Sequence, residues 1–301
     1  MMQSAVIRST EKRNIVFKAD KKDIRTANRF PFIAGFFAVF FILNGLVGSL
    51  FLTQDPMAVS LSDKYLPPAF ISGGSALHLL GTDYLGRDLL SRLVVGGRVS
   101  LVVSLCSVLA GGFFGSLLGV AAGYFGGILD KVIMRFCDAT MAFPHVLIAM
   151  MLAILMPQGF ISVVVAIAFS VWPRFTKLIR SRTLTLKKSA FVTQAKLMGA
   201  SAHRIIYTHL IPNELNLIIV LLVQVIGSSI LAEAGLSFLG LSVQPPNPTW
   251  GNMITEGRDT FHVAWWESTF PTILVVITVI SFNLLGEWLK RSLEPKKNAG
   301  A

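Results

Sequence analysis

Apolar residues fall into six long blocks separated by polar stretches. The blocks run from Phe30 to Leu52, Val99 to Phe125, Phe136 to Met156, Phe160 to near Ile179, Leu215 to Glu233 and Phe270 to Leu289. A helix rises about 1.5 Å per residue, so about 20 apolar residues cross a hydrocarbon core of about 30 Å. The pattern predicts an all-α polytopic membrane protein with six transmembrane helices. Two large loops, residues 53–97 and 234–269, lie on one side. Polar tails, residues 1–29 and 290–301, lie on the other, and residues 98–289 form a domain of five helices. The fourth block is the weakest. Its purely apolar part ends near Trp172, and it reaches full length only through Pro173, which would kink it, with Arg174 and Lys177 snorkelling to the interface.

The punctuation between and within the blocks adds detail. Residues 126–135 read as a short turn, and Glu233 falls at a span end where water would solvate it. Gly111, Gly115, Gly119 and Gly123 recur every fourth residue and line one side of a helix, where a neighbouring backbone can approach closely. Pro144 and His145 interrupt the third block, consistent with a kink. Gln224 and the run Gly227-Ser228-Ser229 lie inside the fifth block, where polar side chains favour the bundle interior or a wet cavity. Gly235 to Leu241 is apolar but short and is followed by prolines, which suggests a re-entrant or surface-lying element. In the first loop stand Gly81, Thr82, Asp83, Gly86, Arg87 and Asp88. Two carboxylates around an arginine could serve catalysis. Capping of helix starts by Asp83 and Asp88, with Arg87 paired to either, is the better reading.

One polar stretch, Ala190 to Asn213, breaks the alternation of span and loop. Phe191, Ala195 and Met198 recur at helical spacing before Gly199, and Ile205, Ile206 and Leu210 do so after it. Two short helices are predicted. Gly199 ends the first, Ser201 caps the second, and Pro212 kinks that helix or begins the next.

Composition and charge orient this layout. Hydrophobic residues make up 53% of the 301 and charged residues 14%. Soluble domains carry about 25% charged residues, so the deficit selects a membrane protein. The net charge of +11 would suggest nucleic acid in a soluble chain, but here the bases flank apolar blocks. Of the 27 Lys and Arg, all but Lys64, Arg87, Arg92, Arg98 and Arg258 fall on the side of the tails and the 190–213 stretch. The positive-inside rule makes that side cytoplasmic, with both termini on it. Cys106 and Cys137 match no zinc spacing. No G-x-x-x-x-G-K-[ST] and no H-E-x-x-H occurs, and no carboxylate relay is apparent in the spans. Energy for active transport would come from a separate protein.

The 190–213 stretch is similar to the cytoplasmic signature of bacterial ABC importer permeases, in which Glu-Ala-Ala is followed by Gly and later by an apolar-Pro pair. Thr193, Gln194 and Ala195 stand at the triplet, Gly199 at the Gly, and Ile211-Pro212 at the pair; the departures are Thr193 and Gln194. The Gly81–Asp88 run and the proline-rich loop resemble the dipeptide, oligopeptide and nickel branch of the family. The resemblance implies a multi-pass inner-membrane protein in a bilayer, with no nucleic acid. It implies a second, non-identical permease subunit, two ABC ATPase subunits that bind the ATP and Mg, and a periplasmic or lipid-anchored substrate-binding protein; this chain would hold no cofactor or metal and have no catalytic residue. It further implies that Phe191, Thr193, Gln194, Ala195, Met198, Gly199, Ala200 and Pro212 shape the contact with the ATPase, with Lys196 and Arg204 supplying charge. Peptides are the expected cargo, with nickel or a metal chelate as the alternative. A stand-alone carrier or channel, or a membrane enzyme using Asp83, Arg87 and Asp88, are the rivals from other classes.

Overall fold

Why these blocks become helices, and where each one stops, is visible in a computed structural model that describes residues 30–52, 54–244 and 246–293. The tails at 1–29 and 294–301, with most of their expected basic charge, lie outside the described residues. Ten α-helices occur among the described residues. α1 is Phe32–Val47, followed by a 3-10 turn, Gly48–Phe51. α2 is Leu89–Phe125, α3 Gly127–Met141, α4 His145–Leu155 and α5 Phe160–Leu186. α6 is Ala190–Leu197 and α7 is Ala202–Ile205; a π-turn over Ile206–Leu210 joins α7 to α8, Ile211–Phe238. α9 is Trp250–Arg258 and α10 is Trp266–Leu293.

Four segments are long and apolar enough to cross a bilayer: α2, α5, the continuous run Ala202–Phe238, and α10. A fifth arises if α3 and α4, which meet at 92°, count as one broken span, while α1 has only 16 residues. By length and composition the helices therefore fall short of the six expected.

The helix ends differ from the apolar blocks because polar residues were absorbed into helices. α2 begins ten residues before Val99. Asp88 caps it, its carboxylate accepting from the Ser91 N–H at 2.8 Å, and the ion pairs described below hide Arg92. The stretch expected to be a turn at 126–135 is the first part of α3, which buries Ile133 and Cys137 and leaves Ile128 and Phe136 exposed. The third block is broken: the chain turns at 142–144 before α4. α5 runs through Pro173 to Leu186. Residues 235–238 form the last turn of α8 rather than a re-entrant element, so the loop expected from 234 shrinks to 239–249 before α9.

The tightest seam joins α2 to α5. A Cβ added to Gly111, Gly115 or Gly119 would stand 2.6, 2.4 and 2.8 Å from the carbonyl oxygens of Ala168, Trp172 and Thr176; one on Gly123 would stand 2.7 Å from Thr183 Cβ. Only a missing side chain allows two backbones that close. Thr176 Oγ1 crosses the seam to donate to the Gly115 carbonyl at 2.9 Å. The main core gathers Phe41, Leu93, Leu101, Phe175, Val225, Trp250 and Phe282 from α1, α2, α5, α8, α9 and α10. Trp250 anchors it by donating from Nε1 to the Leu93 carbonyl at 2.9 Å. Apolar side chains such as Phe36, Phe40 and Phe113 face outward, as helices immersed in lipid do.

Candidate coupling protrusion and outer ionic clasp

The stretch expected to dock on a partner forms a hinged protrusion between the ends of α5 and α8. α6 ends at Gly199, whose φ of +78° is a left-handed value that side chains disfavour. The Ala200 N–H then reaches back to the Ala195 carbonyl at 3.0 Å, which closes the helix end. Ser201 caps α7 by accepting from the Arg204 N–H at 3.4 Å, and Pro212 is the second residue of α8, directly after the π-turn that carries the helix past it. Val192, Ala195, Ile205 and Leu210 are buried together with Leu186. Phe191 is 39% exposed and its ring lies 6.0 Å from the His209 ring, while Leu197 and Met198 are each 82% exposed. The buried face is thus centred on Val192 and Ala195, and the apolar tip at Leu197 and Met198 projects outward. Thr193 Oγ1 returns to the Ser189 carbonyl at 3.0 Å, and Gln194 accepts the Met198 N–H through its own carbonyl. Lys196 and Lys187 each hold an ammonium 5.5 Å from the Tyr124 ring centre, tying the protrusion to the end of α2. Arg204 is exposed.

Below the protrusion, Arg180 forms a bidentate pair with Asp130, its Nη2 standing 2.6 Å from Oδ2, and Lys177 stands 2.8 Å from Asp138. Lys177 is therefore engaged by α3. Glu214, in the first turn of α8, is fully buried and accepts from Thr183 Oγ1 at 2.6 Å, whereas its Oε2 has no partner.

At the opposite end, the Gly81–Asp88 run closes a buried ionic clasp. Asp83 accepts from the Leu85 and Arg87 N–H groups at 2.8 and 2.9 Å, from Arg87 Nε at 2.6 Å, and from Arg92 Nη1. Arg87 and Arg92 share Glu256 of α9, at 3.2 and 2.8 Å. Glu267 of α10 accepts from the Tyr84 N–H at 3.2 Å and from Thr260 Oγ1 at 2.7 Å. Asp83 thus organises a turn and two guanidiniums; it caps no helix, contrary to expectation. Thr82 joins the loop to itself, accepting from the Leu66 N–H at 2.9 Å, and its carbonyl accepts from Trp266 Nε1 at 3.1 Å. Asp88, besides capping α2, meets His78 Nδ1 at 3.0 Å. Gly81 and Gly86 have φ of +84° and +74°, and a Cβ on Gly86 would lie 1.7 Å from the Ser60 carbonyl oxygen. Nearby, partial burial and then the charges of Glu267 and Asp83 push the Tyr65 phenol above its ordinary pKa. Asp83, Glu256 and Glu267 offer oxygens close enough for a cation, but Arg87 and Arg92 already neutralise the first two. Asp83, Asp88, Glu256 and Glu267 each accept hydrogen bonds within the clasp, and Arg87 and Arg92 each pair with both Asp83 and Glu256.

Glu233 departs from expectation. It is fully buried, accepting from Ser100 Oγ at 2.9 Å, Ser237 Oγ at 2.7 Å and Ser242 Oγ at 3.0 Å, so hydroxyls rather than water solvate it. It pins the 239–249 loop to α2. Sequence reasoning also passed over Arg92, Glu256 and Glu267, whose partners lie up to 183 positions away.

The helical body thus carries a protrusion at one end and an ion-paired cap at the other, on helices apolar enough to cross a membrane. Residues 115–299 match the family described as binding-protein-dependent transport system inner membrane component. The chain belongs to that family and is an inner-membrane permease component of an ABC importer. It is 43% identical over 251 residues to the glutathione transport system permease protein GsiD of Pectobacterium atrosepticum, covering 83% of each chain. It is 40% identical over 234 residues to the di/tripeptide transport system permease protein DppC of Pseudomonas aeruginosa, covering 77% of each. A solved structure of the MetNI methionine ABC transporter in an inward facing conformation shares the fold, with a TM-score of 0.54 at 16% identity over 68% of this chain and 97% of that one. Permeases of this family work with other permease, ATPase and binding-protein subunits.

Proposed function

We propose that the chain forms half of the translocation path of an importer for short peptides and takes its driving force through the α6–α7 protrusion. Six crossings complete the topology, with the α3–α4 pair as one broken span and α1, extended by the 3-10 turn, as another. The protrusion and both termini then face the cytoplasm, where ATPase subunits bind ATP and Mg. A second, non-identical permease completes the path, and a periplasmic or lipid-anchored binding protein delivers cargo to the cap formed by residues 54–88 and α9. The peptide class rests on relatives named for glutathione and for di- and tripeptides.

The observation that carries the coupling role is the exposed apolar tip on a buried base. Leu197 and Met198 stand in water at 82% exposure while Val192, Ala195 and Leu210 hold the base to the bundle. Lone apolar residues on a surface are ordinary, but a pair on a short hinged helix, in the family's signature stretch, fits a cleft on a partner. ATP-driven closure of the partner subunits would push the tip, and the bundle would pass the movement to the path. Gly199→Val tests this. A β-branched residue at φ of +78° strains the hinge although no atom lies within 4 Å of its Cβ. Expected are normal membrane insertion, loss of uptake, and loss of the ATPase stimulation that the binding protein evokes. Normal uptake with normal stimulation would refute the coupling role.

A further inference from the structure

Polar side chains at helical spacing on three separate helices converge on one trough. Ser170 and Arg174 lie four apart on α5, Gln224 and Ser228 four apart on α8, and Asn283 and Glu287 four apart on α10. A spacing of four puts each pair on one helix face. Two adjoining cavities, about 460 and 320 Å³, share Arg174 and Ser228 in their walls. The larger runs along α8 and α10 to Lys290 and Arg291; the smaller reaches the α3–α4 break at Phe143 and Pro144. Close packing of α8 on α10 makes the floor, where a Cβ on Gly286 would lie 2.5 Å from Gln224 Cγ.

Arg174 lies about 21 Å along α5 from Phe160 at 1.5 Å per residue, about two-thirds of the length needed to cross a core of about 30 Å, and its side chain is exposed to the trough. It makes no ion pair and no hydrogen bond among the described residues, although its neighbours on α5, Lys177 and Arg180, are both paired to α3. Glu287, the one carboxylate in the trough wall among the described residues, is taken by Arg291. Among the described residues the trough is thus positive around a guanidinium with no carboxylate partner. An ionised group within a membrane span is costly unless it serves a water-filled path or a ligand. Guanidinium geometry matches a carboxylate through two parallel N–H donors. The Ser170 and Ser228 hydroxyls donate to the Ile167 and Val225 carbonyls at 2.7 and 2.9 Å, which leaves their lone pairs as acceptors for the N–H groups of a cargo.

We propose that this trough is a transient binding site on the translocation path, in which the Arg174 guanidinium holds the terminal carboxylate of a short peptide. The inference deepens the peptide-permease reading and rests on it. It identifies the free carboxylate as the group the membrane component itself recognises, apart from any choice made by the binding protein.

The test uses the complete importer in proteoliposomes, with Phe143→Cys as a reporter at the trough wall. Alkylation at that position is followed by mass spectrometry in the presence of dialanine, trialanine or their C-terminal amides, and uptake of the same peptides is measured alongside. Expected is slower alkylation with the free acids, the amides protecting about tenfold less well, the usual scale for losing a hydrogen bond to a charged group. In Arg174→Gln, shown still to copurify with its partner subunits, acid and amide should protect equally; Arg174→Lys should keep part of the preference. Equal protection by acid and amide with Arg174 present, or a preference that survives in Arg174→Gln, would overturn the assignment. If uptake proceeds normally while no carboxylate preference is found, this inference fails and the peptide reading stands. If neither uptake nor protection occurs with any of the four peptides, the peptide reading itself fails and takes the trough assignment with it.

Discussion

At the level of single residues, the outer clasp shows how much can hang on one carboxylate. Asp83 is fully buried and engages two guanidiniums and two backbone N–H groups. Asp83→Asn leaves Arg87 and Arg92 with Glu256 alone, in a site where an uncompensated buried charge costs about 3–5 kcal/mol. The expected outcome is a clear fall in the thermal unfolding midpoint of the purified protein, measured by fluorescence-detected gel filtration after heating. Asp88→Asn keeps an oxygen that can cap α2, so a much smaller fall is expected in the same assay. An enzymatic role for the pair would predict the reverse emphasis, with turnover lost and stability kept. The hinge at Gly199 calls for a residue that tolerates a left-handed backbone. Gly199→Asn should therefore retain most uptake in a cell-based transport assay, while Gly199→Val should lose it.

Among the elements, the α2–α5 seam separates two kinds of glycine. A Cβ at position 115 would stand 2.4 Å from a backbone oxygen that cannot retreat, whereas at position 235 nothing lies within 4 Å. Gly115→Ala should lower the amount of folded protein recovered from membranes. Gly235→Ala should be neutral or should raise the unfolding midpoint slightly, since alanine favours a helix by about 1 kcal/mol over glycine. A four-residue glycine period is readable in a sequence because packing demands it locally; the partner helix is not. The same limit governed the helix ends. Arg92, Gly96 and Gly97 look like loop residues until Asp83, Glu256 and the Trp250 ring supply their surroundings. Glu233 looks like a residue at a water boundary because three serine hydroxyls can replace water only once α2, α8 and the following loop have met. The turn chemistry at Gly199, Ser201 and Pro212, by contrast, depends on neighbours in the chain and was legible from them.

For the molecule as a whole, charge asymmetry makes the orientation testable. With the protrusion on the cytoplasmic side, Met198→Cys, at an 82% exposed position, should react with a membrane-impermeant maleimide in inverted vesicles and stay unlabelled in intact cells with a permeabilised outer membrane. Labelling from the outside would reverse the topology and remove the coupling role with it. The six apolar blocks were visible at once, and Pro144 with His145 marked a kink in the third; its size, 92° between α3 and α4, was not legible, since a proline says where a helix breaks and not how far the chain turns.

Trp266, Glu267, Glu256 and Arg92 bind the segment around Asp83 to three helices at once. A lid stitched so firmly has little slack of its own. Under the proposed topology, a binding protein settling on this lid would press on α2, α9 and α10 together, and news of a loaded carrier would travel inward as the tilt of a stiff lever rather than the folding of a flap.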